Sequence, residues 1–259
     1  MQLADLASLS RYSRIYVSPH LDDAALSCGG AIAAAPADAL VVTLCTAAPP
    51  PDASFNAVAV EFHAEWGLAP AEVMGARLAE DAAAMAILGA DYHYAGMLDA
   101  IYRVPDVYDS RATLYRPPVP GDPMMSQVRD LLTALHRGAP QATIYLPLGV
   151  GDHVDHLAVF EAAASLPTLP VAFYDDINYA LVPRAVEQRL ALIGRPLIAR
   201  CVPFDEHALK SKIAAIAAYA SQMDALFGGV SAMTAAITAY HASLHPAHGG
   251  YAERVWRSA

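Results

Sequence analysis

Arg14-Ile15-Tyr16-Val17-Ser18-Pro19-His20-Leu21-Asp22-Asp23-Ala24-Ala25-Leu26-Ser27-Cys28-Gly29-Gly30 decides how the rest of the chain is read. Arg14 to Ser18 is short, apolar and rich in branched and aromatic residues, which reads as a buried strand; Ala24 to Ala35, rich in small residues, reads as a helix. An imidazole and two adjacent carboxylates therefore fall where a strand hands over to a helix. Taken alone, Asp-Asp at such a place looks like a helix N-cap followed by a first-turn acid, since the orphan N–H groups and the helix dipole both favour it. Whether the pair does more depends on what the chain brings beside it.

Working outward, Ala39 to Thr46 is a second strand, ended by an irregular loop from Ala47 to Ala53 that holds three consecutive prolines. Met74 to Leu88 has a helical pattern, with Leu78, Ala82, Met85 and Leu88 on one stripe and Gly89 as its stop. Ala142 to Pro147 is another buried strand, followed by a loop from Gly149 to Asp155 and a helix from Leu157 to Ala164. Val171 to Tyr174 and Ala199 to Pro203 read as further strands, and Asp99 to Pro123, dense in Pro, Tyr and Arg, as a long loop shaping an entrance. Strands and helices alternating in this way predict an α/β fold, a mostly parallel sheet with helices on both faces, in a single domain over residues 1–259. Ligands of such sheets bind beyond the C-terminal strand ends.

Composition excludes several classes of partner. The 259 residues are 56% hydrophobic, enough for a substantial core, and 16 basic against 26 acidic residues give a net charge of −10. That balance argues against a nucleic-acid backbone or an anionic membrane as partner. Cys28, Cys45 and Cys201 have no disulfide-framework or zinc-finger spacing and fit a reducing cytoplasm, Met1 to Ser10 does not read as a signal peptide, and no apolar stretch reaches the length of a membrane span. Both a monomer and a homo-oligomer stay open.

A second constellation, Gly151-Asp152-His153-Val154-Asp155-His156, falls in another strand-to-helix loop. Imidazole nitrogen and carboxylate oxygen are the donors that suit zinc and similar divalent ions, and two nitrogens with one oxygen would leave an open position, where a water's pKa falls to roughly 7. One aspartate of the first pair can bind metal while its neighbour takes the proton of the water. In the second loop one histidine can ligate and the other can hydrogen-bond an oxyanion, with Asp155 holding its ring cationic. Other candidates are weaker. Gly29-Gly30 lacks any phosphate-loop fingerprint and reads as close helix packing. Ser18 and Ser27 lack a nucleophile elbow. His63, His93, His136, His207, His241, His245 and His248 read as surface or packing residues, with His245-Pro246-Ala247-His248 worth a metal check.

Pro19-His20-Leu21-Asp22-Asp23 with Leu26 and Gly29-Gly30, together with His153-Val154-Asp155-His156, resembles the PIG-L/LmbE-like family of zinc-dependent N-deacetylases. Supporting matches are Arg77-Leu78-Ala79-Glu80-Asp81 leading to Leu88-Gly89, Asp99-Ala100-Ile101-Tyr102-Arg103, Lys212 with Tyr219-Ala220-Ser221-Gln222, and Glu253-Arg254-Val255-Trp256. The resemblance implies a Rossmann-like core and hydrolytic removal of an acyl group, usually acetyl, from an amino group, often on an N-acetylglucosamine-type sugar. It implies Zn2+, or another divalent metal, on His20, Asp23 and His156, with Asp22 as general base. His153 matches the oxyanion stabiliser and Asp155 its partner; Arg77 and Asp99 match positions that contact substrate hydroxyls. Leu21 and Ala24 stand where the family commonly has proline and glutamate, which bears on loop shape rather than on ligands. The entrance and Tyr174-Asp175-Asp176 are where specificity is expected to be set. The expected partner is a small N-acylated amine, an amino sugar or its conjugate. Two rival readings are a nucleotide-binding transferase or oxidoreductase using Gly29-Gly30, and a non-catalytic carbohydrate-binding protein.

Overall fold

The computed structural model describes residues 1–6, 9–50, 52–245 and 249–258. Its strands are β1 (Arg14–Ser18), β2 (Ala39–Cys45), β3 (Asp91–Met97), β4 (Thr143–Pro147), β5 (Val171–Tyr174), β6 (Leu197–Phe204) and β7 (Tyr251–Ser258). They form one sheet in the order β3-β2-β1-β4-β5-β7-β6. The first five run parallel, while β7 pairs antiparallel with β5 and with β6. Around the sheet lie α1 (Asp23–Ala34), α2 (Ala57–Trp66), α3 (Pro70–Leu88), α4 (Ala100–Arg103), α5 (Arg111–Leu114), α6 (Pro123–Gly138), α7 (Val154–Ala164), α8 (Ala185–Ile193), α9 (Glu206–Ala217), α10 (Ala220–Phe227) and α11 (Val230–Leu244).

The two-residue period of a strand sorts the core. Ile15, Val17, Leu40, Val42, Leu44, Ile144 and Leu146 join Val128, Leu132 and Leu135 of α6 and the inner face of α7 in one cluster. Tyr16, Ala39 and Val41, one step out of phase, pack with Ala25 and Cys28 of α1 and Met85 and Leu88 of α3. Both faces are covered, so β2 is buried along its whole length, as befits a parallel strand.

The order of strands reverses between β1 and β4, and a crevice opens beyond the C-terminal ends of neighbouring strands at such a switch point. Both histidine-carboxylate loops leave from there, after β1 and after β4.

Several elements differ from their sequence reading. α7 starts at Val154 rather than Leu157, because His153 caps it by accepting the Asp155 N–H. α3 starts at Pro70, and its buried stripe is Val73, Met74, Arg77, Asp81, Ala84, Met85 and Leu88, rotated from the expected one so that Arg77 and Asp81 face inward. The expected loop from Asp99 to Pro123 contains the single turns α4 and α5. Residue 51 of the proline loop lies outside the described residues. Gly29 and Gly30 do serve close packing: a Cβ on Gly30 would sit 2.6 Å from the Phe204 ring, and one on Gly29 3.0 Å from the Lys212 stem. The Glu253 carboxylate on β7 accepts the N–H groups of Gly30 and Ala31 at 2.8 and 2.9 Å and pairs with the buried Lys212 ammonium at 2.7 Å. No room is left there for a nucleotide phosphate.

Asp81 yields a pH prediction. It is 2% exposed, accepts the Tyr219 hydroxyl at 2.7 Å through Oδ1, and its Oδ2 has no partner among the described residues. Burial, only partly offset by the Tyr219 hydrogen bond, pushes its pKa up to about 6. The folded state thus binds this proton more tightly than the unfolded chain does, and stability falls as pH rises through the window from about 4 to about 6. Urea denaturation of Asp81→Asn across that window should lack this part of the decline; an unchanged difference between variant and parent at every pH would contradict it.

Candidate active site

The loop after β1 delivers three side chains. Pro19 and Ser18 shape it: the Ser18 hydroxyl accepts the Ala24 N–H at 2.9 Å and so caps the first turn of α1. Asp22 occupies the N-cap position, yet its side chain makes no capping hydrogen bond. The bland reading of the Asp-Asp pair therefore fails for Asp22. Asp23 turns back, its Oδ2 accepting the His20 N–H at 2.8 Å.

The loop after β4 is bent by Gly149 and Gly151, both at positive φ, and Gly151 lets the Tyr179 ring pack where a Cβ would come within 2.4 Å. It brings in His153, Asp155 and His156. The ring centroids of His20, His153 and His156 lie 4.8 to 5.4 Å apart. The histidines from two loops 130 residues apart in sequence thus share one cleft, which Asp22, Asp23, Arg77 and Asp99 also line.

Two of these rings are held from behind. His20 Nε2 donates to Asp155 Oδ2 at 3.0 Å, leaving Nδ1 3.3 Å from Asp23 Oδ2. His156 Nδ1 donates to Asp176 Oδ1 at 2.6 Å, leaving Nε2 3.4 Å from the same Asp23 Oδ2. Asp176 Oδ2 is anchored by the N–H groups of Gly149 and Val150, both at 2.9 Å. A carboxylate behind each ring, with the other ring nitrogen turned to the front, is how proteins orient metal-binding histidines. Burial opposes charge on both rings, but the surrounding carboxylates outweigh it and raise both pKa values. The field at this point favours a cation.

Asp22 and Asp23 are set apart by their surroundings. Burial and the neighbouring Asp23 charge lift the Asp22 pKa to about 6, against the weaker pull of Arg77, whose Nη2 is 3.7 Å away. Asp23 is buried too, but His156 and His20 hold its pKa below the usual range.

The structure corrects the expected role of Asp155. Its carboxylate does not support the His153 ring; it serves His20, and also accepts Arg103 and the Ala100 N–H. His153 Nδ1 instead accepts the Asp155 backbone N–H at 3.3 Å, and burial, reinforced by His20, lowers the His153 pKa to about 3. With Nδ1 accepting there, the ring's donor atom is Nε2. Tyr174, Asp175 and Asp176 do not line the cleft, contrary to the expectation that they set specificity. The Tyr174 hydroxyl donates to the Val17 carbonyl, Asp175 binds Tyr240, Arg254 and Trp256, and Asp176 braces His156.

Arg77 and Asp99, named from the sequence, do reach the cleft. Arg77 is 6% exposed, stacks 5.0 Å over the Trp66 ring and leaves Nε without a protein partner among the described residues. Asp99 caps α4 through Oδ1, and its Oδ2 lies 3.5 Å from His20 Nε2. Phe62, Glu65 and Trp66 of α2, Arg111, Leu114 and Tyr115 of the entrance, Tyr179 and Gln222 complete the walls. Of these, only the entrance residues and Gln222 stood in stretches singled out in the sequence; α2 has a plain apolar pattern that marks no site.

Among the described residues, two sets of donor atoms lie within 4.8 Å of one another: those of His20, His153 and His156, and those of His20, Cys45 and Asp155. The second set is the less suited to a metal, since burial raises the Cys45 pKa and Asp155 is already engaged by Arg103. His63, His93 and His241 make packing contacts, to the Tyr102 hydroxyl and to the carbonyls of Leu3 and Ala252. Residues 246–248 of the His245–His248 motif lie outside the described residues. No helix among the described residues is long and apolar enough to cross a membrane.

Comparison with known proteins points to one family. The pattern of the PIG-L family, described as GlcNAc-PI de-N-acetylase, matches residues 15–166. A 2'-N-acetylparomamine deacetylase of Streptomyces fradiae is 30% identical over 230 residues, covering 83% of this chain and 75% of that protein. The zinc-inhibited form of the teicoplanin deacetylase Orf2 superposes with a TM-score of 0.75 at 27% identity, covering 93% of this chain and 96% of that one. The A40926 pseudoaglycone deacetylase Dbv21 gives 0.72 at 28% identity, with 95% and 97% covered. The match extends across both histidine loops and the strands that carry them, and the chain belongs to the PIG-L family.

Proposed function

We propose that this chain is a zinc-dependent N-deacetylase that removes an N-acyl group, acetyl in the first instance, from an amino sugar or its conjugate. The observation that carries the reading is the convergence of His20 Nδ1 and His156 Nε2 on Asp23 Oδ2, each ring braced by its own carboxylate, beside an Asp22 that caps nothing. His20, Asp23 and His156 are the residues that would hold the metal, and the cation-favouring field fits one. Zinc bound there supplies Lewis acidity, polarising the amide carbonyl and lowering the pKa of water to roughly 7.

The chain's own groups divide the remaining work. Asp22, open to the cleft, takes the proton of the attacking water and returns it to the departing amine nitrogen. His153 donates from Nε2 to the oxygen that becomes negative in the tetrahedral intermediate, its Nδ1 being taken by the Asp155 N–H. Arg77 offers its guanidinium, and Asp99 its carboxylate, to sugar hydroxyls, both residues lining the cleft. Asp155 and Asp176 stay behind the histidines. The relatives whose names include an amino-sugar substrate or a glycopeptide support the substrate class. Three unpaired cysteines suit a reducing compartment such as the cytoplasm.

Removal of metal with a chelator should abolish hydrolysis of N-acetylated amino sugars, read by mass spectrometry as loss of the acetyl mass, and zinc should restore it. The fold should persist without metal, because a core this size needs no metal staple. Full turnover after exhaustive chelation would overturn the proposal.

Arg77→Ala and Asp99→Ala should raise KM for amino-sugar substrates by about tenfold or more, the effect of leaving a substrate hydroxyl unpaired, with zinc content unchanged. Unaltered KM on every accepted substrate would remove both residues from substrate binding.

A further inference from the structure

We propose that Arg103 is a positioning residue for the metal centre, holding His20 in place through Asp155; the inference rests on the reading of His20 as a metal ligand. Arg103 ends α4, and its side chain is only 3% exposed. Its Nε and Nη2 fork onto the two oxygens of Asp122 at 2.7 and 2.9 Å, and Nη1 donates to the Leu98 carbonyl at 2.8 Å. Nη2 also reaches Asp155 Oδ1 at 2.7 Å. Asp155 gives its other oxygen to His20 Nε2 at 3.0 Å and to the Ala100 N–H at 3.2 Å. Asp122 is fixed in turn by the Tyr108 hydroxyl at 2.7 Å and the Met124 N–H at 2.9 Å. A continuous buried chain therefore runs from Tyr108 through Asp122, Arg103 and Asp155 to His20.

Each link has a physical reason. A carboxylate buried behind a histidine is costly unless a cation and hydrogen bonds answer it, and Arg103 answers Asp155 on the oxygen that His20 leaves free. Held there as an acceptor, Asp155 keeps the His20 proton on Nε2 and turns Nδ1, the free donor atom, toward Asp23. The planar guanidinium can meet two carboxylates at once; a lysine ammonium, a single point of charge, cannot hold both in this geometry. The partners of Arg103 place it further. Tyr108 and Asp122 belong to the same stretch, Asp99 to Pro123, that sends Ile101, Leu114 and Tyr115 to the cleft wall. One arginine thus joins the substrate entrance to a metal ligand.

The test is metal affinity, measured by competition with a chromogenic chelator, together with the visible spectrum of the cobalt(II)-substituted protein. The proteins compared are the parent, His20→Ala, Asp155→Asn, Arg103→Lys and the Asp155→Asn/Arg103→Lys double variant. Arg103→Lys should weaken zinc binding by roughly 10–100-fold, the usual effect of losing a group that orients a ligand, and should alter the cobalt bands. Because Arg103 acts through Asp155, the double variant should bind metal no more weakly than Asp155→Asn alone. Parent-like affinity and spectrum in Arg103→Lys, or losses that add in the double variant, overturn the proposal. If Arg103→Lys does not fold, Asp122→Asn takes its place: it loosens the far side of the fork, metal affinity should fall several-fold, and parent-like affinity overturns the proposal equally. His20→Ala separates this from the underlying reading, since full metal affinity in that variant would refute His20 as a ligand whatever Arg103 does.

Discussion

Asp22→Asn should keep its zinc and lose about 10²–10⁴-fold in kcat, the range for removing a general base, with no rescue by added metal. Asp23→Asn should do the opposite: metal affinity falls because a neutral amide replaces an anionic ligand, and activity returns in part with excess zinc. The two residues are chemically identical neighbours, so the contrast tests their surroundings. Asp23 Oδ2 faces two ring nitrogens at 3.3 and 3.4 Å, whereas the ion pair of Asp22 among the described residues is with Arg77 at 3.7 Å. A capping role for Asp22 predicts a stability loss of about 0.5–2 kcal/mol with near-normal catalysis. The absent capping bond predicts little or no such loss. Metal analysis, kcat and a denaturation midpoint on both variants decide it; equal loss of zinc in the two would end the division of labour.

His156→Ala should lose metal and activity together, while His153→Ala should keep metal and lose about 10²–10³-fold in kcat, as when one oxyanion donor is removed. This pair distinguishes two ligand sets that the geometry brings close. His20, His153 and His156 all have donor atoms within 4.8 Å of one another, but no carboxylate among the described residues hydrogen-bonds the His153 ring, whose Nδ1 is spent on the α7 cap. His156 has Asp176 at 2.6 Å. Loss of zinc in His153→Ala to the same extent as in His156→Ala would place His153 among the ligands and take away its proposed role.

The parts of the fold read from sequence were those with a strong local signal. Arg14 to Ser18 and Val171 to Tyr174 match β1 and β5 residue for residue, because a buried parallel strand is a bare run of branched and aromatic side chains. β3 was not read: Asp91 to Met97 is half-buried and ends in Gly96 and Met97, so no clean alternation marks it. β7 was seen only as a matching motif, since its antiparallel place between β5 and β6 is decided by tertiary pairing alone. At the site, the residues in front were legible because they cluster in two short loops. The roles of the residues behind were not: Arg103 and Asp176 stand in quoted motifs with no such role attached, Asp122 in none, and nothing local ties the three. Assigning Asp155 to His153 followed their nearness in sequence, whereas the helix that starts at Val154 sends the carboxylate toward His20.

The antiparallel strand β7 bears on how the protein is made. Every candidate metal ligand is synthesised before Glu253, which grips the backbone of α1 at Gly30 and Ala31. The helix that begins at Asp23 therefore waits for β7 before it is clamped, and a nascent chain stalled after α11 would display all its candidate ligands without that clamp. A truncation before β7 is then expected to loosen the site though no candidate ligand is missing.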